Sequence, residues 1–261
     1  MPLLAWCHVR GRCAARFLWS AQACLLLLAL PSAFCAQPLV LSTGTGPPYA
    51  LPGKAGFLDQ LTKETFRRIG VDASVQVHVN SARALINANN GVDDGLVMRV
   101  AGLEKKYPSL VMLPERIIGN DFVGYTLSNN LKTANLETLK TSAVGYITGW
   151  VVFDGLVGGN VNVTKVRDAD QLFRLLRLGR ADVALYERWQ GLWLIRHTGT
   201  PIRLLEPPLA QVDMFMYLHK KHRALVGPAT AALRRMKQDG TYQALYSGAF
   251  SPLAGGLSAA R

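Results

Sequence analysis

Residues 94–117, DGLVMRVAGLEKKYPSLVMLPERI, read as a short apolar strand that delivers Arg99 to a polar turn. A guanidinium at a strand end presents paired planar donors suited to a carboxylate or a phosphate. Lys106 follows beyond a further helical turn, at the end of the charged run Glu104-Lys105-Lys106. A second group of candidates lies further on. Gly149 and Trp150 end the apolar run SAVGYI and precede a predicted helix, whose free N–H groups favour an anion. Glu187 ends the run VALYE and is an acid placed to meet a cation. Tyr49 closes the loop TGTGPPY, an aromatic with a polar tip that either packs on a ligand or caps the core. The five histidines are scattered, and His78, on the polar phase of an alternating strand, is expected at the surface. No Ser-His-Asp pattern, HExxH or phosphate loop accompanies these residues, and no metal or other cofactor is expected.

Periodicity supplies the elements that must hold them. Residues 39–42 read as a strand and residues 56–70 as an amphipathic helix ended by Gly70. A strand within 71–79, a short helix over 81–88 and the strand leading to Arg99 follow. Strand, helix, strand, helix, strand argues for a parallel-rich α/β sheet with ligands at the carboxyl ends of its strands. Residues 114–127 are apolar and read as a crossing to a second lobe. There the pattern repeats: a strand at 142–147, a helix at 151–156, a strand at 161–166, a helix at 168–178 and a strand at 183–185. Asn90-Gly91-Val92-Asp93-Asp94 and Leu178-Gly179-Arg180-Ala181-Asp182 occupy equivalent places in the two halves. Strands at 202–205 and 212–218 follow, the latter a return crossing. A helix over 223–237 and a short one over 241–246 follow, and the tail after Phe250 is expected to fray. The expected division is 1–36 for a signal peptide, 37–120 with 213–250 for lobe 1, 121–212 for lobe 2, and 251–261 for a flexible tail.

The chain of 261 residues carries a formal charge of +12, with Lys and Arg in runs of two at most. Scattered charge without a nucleic-acid-binding motif argues against nucleic acid and for anionic small partners or membrane surfaces. Arg10, Arg12 and Arg16 precede the apolar run AQACLLLLAL and small residues, the order of a cleaved secretory signal. All four cysteines lie in that segment, so no disulfide framework is expected beyond it.

The ordered motifs GFLDQLTKETFRRIG, NNGVDDGLVMR, GLEKKYPSLVMLPERI, VGYITGW, LFRLLRLGRADVALYE and MKQDGTYQALYSG resemble the bacterial family 3 extracellular solute-binding proteins. The resemblance covers the chain beyond the signal segment. It implies a type II periplasmic binding fold, two α/β lobes joined by two crossings with a ligand cleft between them. It further implies a periplasmic monomer that captures a small polar or zwitterionic, amino-acid-like ligand for the permease of an ABC importer in the inner membrane. In such proteins an arginine after the first-lobe turn clamps the ligand carboxylate. Here Lys106 stands at that turn and Arg99 comes earlier. Glu187 matches the acid that meets the ligand ammonium, Gly149 and Trp150 stand at the second-lobe anion-binding turn with only backbone N–H groups left to donate, and Tyr49 and Trp150 are expected to pack on the body of the ligand. A periplasmic enzyme of the cyclohexadienyl-dehydratase kind, using Glu187 as acid, and a ligand-reporting partner of a membrane receptor are the alternatives on the same fold.

Overall fold

The computed structural model describes residues 37–78, 81–157 and 162–255. The expected signal segment, 1–36, and the last six residues lie outside them. Five strands and helices alternate first: β1 (Leu39–Thr43), α1 (Phe57–Arg67), β2 (Ala73–Val77), α2 (Ser81–Asn89) and β3 (Gly95–Arg99). The short strand β4 (Leu110–Met112) and the long β5 (Ile118–Thr126) follow. The second half comprises α3 (Leu136–Thr141), β6 (Val144–Ile147), α4 (Val151–Leu156), β7 (Val163–Val166), α5 (Ala169–Arg177), β8 (Val183–Glu187) and α6 (Arg188–Thr198). The chain closes with β9 (Arg203–His219), α7 (Arg223–Gln238) and α8 (Thr241–Ala254).

All nine strands join in the order β2-β1-β3-β9-β5-β8-β6-β7, with β4 also on β9. The two halves are built alike. β1 pairs in parallel with β2 on one side and β3 on the other, and β6 does the same with β7 and β8. The sequence equivalence of the two glycine–acid turns holds at the level of single hydrogen bonds. Asp94 N donates to Val40 O at 2.7 Å, and its carboxylate accepts from Val40 N at 2.9 Å. Asp182 N donates to Ala143 O at 2.7 Å, and its carboxylate accepts from Ala143 N at 2.8 Å. Each turn begins with a left-handed glycine, Gly91 at φ +74° and Gly179 at +64°. By the same alignment Arg99 and Glu187 are equivalent, each ending the third strand of its half.

Two antiparallel strands connect the halves. β9 pairs with β3 and β4 through residues 215–219 and with β5 through residues 203–214. Its length differs from the sequence expectation of two strands, 202–205 and 212–218. Pro207 and Pro208 are accommodated where the register shifts, opposite residues 122–124 of β5, so no ladder hydrogen bond requires their missing donors. The tail also differs. α8 continues to Ala254 and places Phe250, fully buried, against Tyr49, Phe57, Trp189 and Tyr246.

Candidate functional site

At the carboxyl ends of β1 and β3, the loop past β1, the start of α2 and Arg99 converge. Gly44, just past β1, lies so close to Ser81 at the start of α2 that a Cβ on it would fall 2.1 Å from Ser81 Oγ. Arg99 reaches the same place, donating from its terminal nitrogen to the Ser81 carbonyl at 2.8 Å. The strand bulges just before it. The β3–β9 register shifts between Leu96 and Arg99, and Met98 adopts φ +69°, a conformation strained for an unbranched side chain. The bulge offsets the strand by one residue, and Arg99 rejoins the ladder opposite Phe215 of β9. Tyr217 of β9 holds the loop beyond, its hydroxyl donating to Val100 O at 2.8 Å.

Arg99 is half-buried and, among the described residues, has no carboxylate partner. Its Nε is buried with no hydrogen-bond partner. Desolvation alone pushes its pKa down, with no neighbouring acid to oppose the shift. A guanidinium left in this state is suited to receive an anion. Lys106 is exposed on the same loop, its Nζ 5.8 Å from the Tyr107 ring centroid, and forms no ion pair among the described residues.

The other half presents the ends of β6 and β8. Thr148 and Gly149 are exposed, Gly149 at φ +86°. The Trp150 N–H, expected to be free for an anion, donates to Ile147 O at 3.2 Å instead. The Trp150 ring stacks on Tyr186 at 4.9 Å and on Phe153 at 5.8 Å, and meets Phe122 at a near-perpendicular angle. It is therefore part of the packing under the loop.

Glu187 differs most from its sequence reading as a ligand acid. It is 1% exposed. It caps α6, accepting from Gln190 N at 2.9 Å through one carboxylate oxygen, and accepts from the Tyr49 hydroxyl at 2.8 Å through the other. Burial pushes its pKa up to about 7, against the opposing pull of the Gln190 and Trp189 N–H groups and the Tyr49 hydroxyl. Tyr49 is fully buried, and its hydroxyl also lies 3.2 Å from Asn120 Oδ1 on β5. Gly56 allows this placement, since a Cβ there would lie 2.4 Å from the Tyr49 carbonyl that accepts from Leu58 N. Tyr49 and Glu187 thus bring the end of β1 against the end of β8, so the strand ends of the two halves face one another. Next to them Arg188 bridges the crossings, donating to Asp121 of β5 at 2.8 Å and to Glu206 of β9 at 3.0 Å.

Ser81, Asn120 and Tyr217 belong to the site without having been singled out by sequence. Asn120 carried a signal, a polar residue inside an apolar strand. His78 is not the expected surface residue, as its Nε2 lies 3.1 Å from both Ser42 Oγ and Asp93 Oδ2. Asp93 also accepts from Ser42, which is fully buried, so this cluster ties β1, β2 and the turn before β3 together. A separate hollow of about 400 Å³, bordered by Arg116, Asp121, Asp213, Tyr242 and Tyr246, opens on the crossings and α8. Its acids are already paired with Arg188 and Arg116. Among the described residues no group of three side chains could hold a metal ion, and no helix is long and apolar enough to cross a membrane.

No protein-family model matches the chain. An uncharacterised protein of Shewanella oneidensis is 23% identical over 177 residues, 63% of this chain and 65% of its own length. The L-cystine-binding protein TcyJ of Escherichia coli K12 is 25% identical over 215 residues, 79% of this chain and 80% of TcyJ. Among solved structures, the GluR0 ligand-binding core from Nostoc punctiforme in complex with L-glutamate superposes with a TM-score of 0.67 at 18% identity, covering 82% of this chain and 99% of that one. A histidine kinase sensor domain gives 0.68 at 17% identity, over 81% and 95% of the two chains. The substrate-binding protein of an amino acid ABC transporter gives 0.64 at 16% identity, over 82% and 99%. The chain has the type II periplasmic binding fold. Two α/β lobes are joined by the crossings β5 and β9, with the ligand cleft between them. The likeness to family 3 solute-binding proteins read from sequence motifs is borne out in both sequence and fold.

Proposed function

We propose that the chain is an exported solute-binding protein that captures a small polar ligand in its cleft and presents it to the permease of an ABC importer. The observation that carries this reading is Arg99: a half-buried, unpaired cation on a strained strand end, beside the cleft of a fold shared with amino-acid-binding proteins. Arg99 receives the anionic group of the ligand, and Lys106 adds positive potential from the loop beyond. The exposed Thr148-Gly149 turn faces the ligand from the second lobe. Tyr49, Trp150 and Glu187 form the packed floor that sets the distance between the strand ends. Lobe 1 is assigned residues 37–120 and 213–250, and lobe 2 residues 121–212. Residues 1–36 direct export to the periplasm, where the protein acts as a monomer.

The test is a thermal-shift screen of the purified protein against amino acids, organic acids, polyamines and short peptides. A ligand that binds only the folded state stabilises it by about 2.7 kcal/mol at a hundredfold excess over Kd. The reading predicts a stabilising solute whose effect disappears in Arg99→Ala. A well-folded protein stabilised by nothing in the panel contradicts it.

A further inference from the structure

We infer that the captured solute is a small organic anion without an ammonium group, because Arg99 offers an unpaired cation to the cleft while the equivalent acid of the other half is shut behind Tyr49. This inference rests on the solute-binding reading and narrows its ligand class.

A zwitterion needs an acceptor for its ammonium as well as a donor for its carboxylate, since an unpartnered charge carried out of water is costly. The strand-end loops show which acceptors exist. Those following β1 and β6 contain no acidic residue, and β2 is followed by His78, Val79, Asn80 and Ser81. Past β7, Asp168 caps α5 by accepting from Gln171 N at 2.8 Å. Past β3, Glu104 borders a different hollow, with Lys220 and Arg223. At the end of β8 lies Glu187, with the α6 N-terminus on one oxygen and the Tyr49 hydroxyl on the other. On the crossings, Asp121 and Glu206 pair with Arg188, and Asp213 pairs with Arg116. Among the described residues these acids are capped, paired or turned to another hollow, apart from Asp170, which is exposed in the first turn of α5.

The cations show the opposite pattern. Arg99, Lys105 and Lys106 lie on one strand-end loop and form no ion pair among the described residues. Arg99 has an unused, buried Nε beside the terminal nitrogen that already contacts Ser81 O. Such an edge suits a carboxylate oxygen. The overall charge of +12, three of it from the arginines of residues 1–36, leaves the rest of the chain basic and adds a long-range preference of the same sign.

The experiment is isothermal titration of the purified protein with acids paired by the presence or absence of an amine: propionate with alanine, succinate with aspartate, glutarate with glutamate. The inference predicts that the tightest ligand is an amine-free acid, binding at least about tenfold more tightly than its amino-acid partner. Arg99→Met should remove that binding and Arg99→Lys should retain part of it, with the melting temperature of each unliganded variant showing that it is folded. If an amino acid is the tighter member and depends on Arg99, the solute-binding reading stands and this inference is wrong. If no member of any pair binds the folded protein while the broader screen finds a stabilising solute, this inference is wrong and the solute-binding reading stands; if that screen also finds none, both are overturned.

Discussion

Arg99 carries a charge that the protein leaves without a counter-ion, and this separates its two expected effects on substitution. Hydrogen bonds to charged groups contribute about 1.5–3 kcal/mol, so Arg99→Ala should weaken an anionic ligand by about 10- to 150-fold in titration calorimetry. The same change removes a partly desolvated, unpaired cation, so the unliganded protein should lose less than about 1 kcal/mol in urea unfolding. A large loss of stability with unchanged affinity would make Arg99 a structural residue. Glu187 gives a prediction in pH. Its folded pKa of about 7 lies above the ordinary 4.5, so between these values the folded chain binds more protons than the unfolded one, and stability falls as pH rises through the window. The melting temperature of the wild type should accordingly drop relative to that of Glu187→Gln between pH 5 and pH 8; parallel profiles would contradict the assignment. Arg99 and Glu187 were legible in the sequence as charged residues after apolar runs. The partnership that closes Glu187 was not, because Tyr49 lies 138 residues away and nothing local to either residue specifies the bond.

The element that organises each half is the glycine–acid turn before its third strand. Asp94 and Asp182 each join two parallel strands by satisfying one backbone N–H that would otherwise be orphaned. Losing such an acceptor costs about 1–3 kcal/mol. Asp94 also meets Lys221 at 2.8 Å and His222 at 2.7 Å; burial opposes its charge, but these partners and the Val40 N–H hold its carboxyl below the usual range. Asp94→Ala should therefore destabilise more than Asp182→Ala when both are unfolded in urea, and the reverse order would show that the two turns are not equivalent supports. The turns were legible because glycine followed by an acid recurs at matching distances from two apolar strands. Local patterns also placed most of the helices. They failed at β9, where two prolines resemble a break until the bulge opposite β5 is known, and at the end of α8, where residues 251–254 of the expected tail continue the helix and bury Leu253.

At the scale of the molecule, Phe250 links the parts that flank the cleft. Its ring centroid lies 5.3 Å from that of Tyr49, 5.2 Å from Phe57 on α1 and 4.9 Å from Trp189 on α6. Truncating a fully buried phenylalanine costs about 3–5 kcal/mol, and Phe250→Ala should show a loss of that size in urea unfolding. A loss near zero would mean that α8 does not brace the two halves. The net charge of +12 belongs to the same scale. The most direct test of the central claim is a crystal structure of the protein with the solute found by the screen. The account predicts electron density for the ligand between the two sets of strand ends, with its anionic group on the Arg99 guanidinium and the Tyr49–Glu187 bond intact beneath it. Ligand density elsewhere, or a ligand group bonded to Glu187 in place of Tyr49, would contradict it.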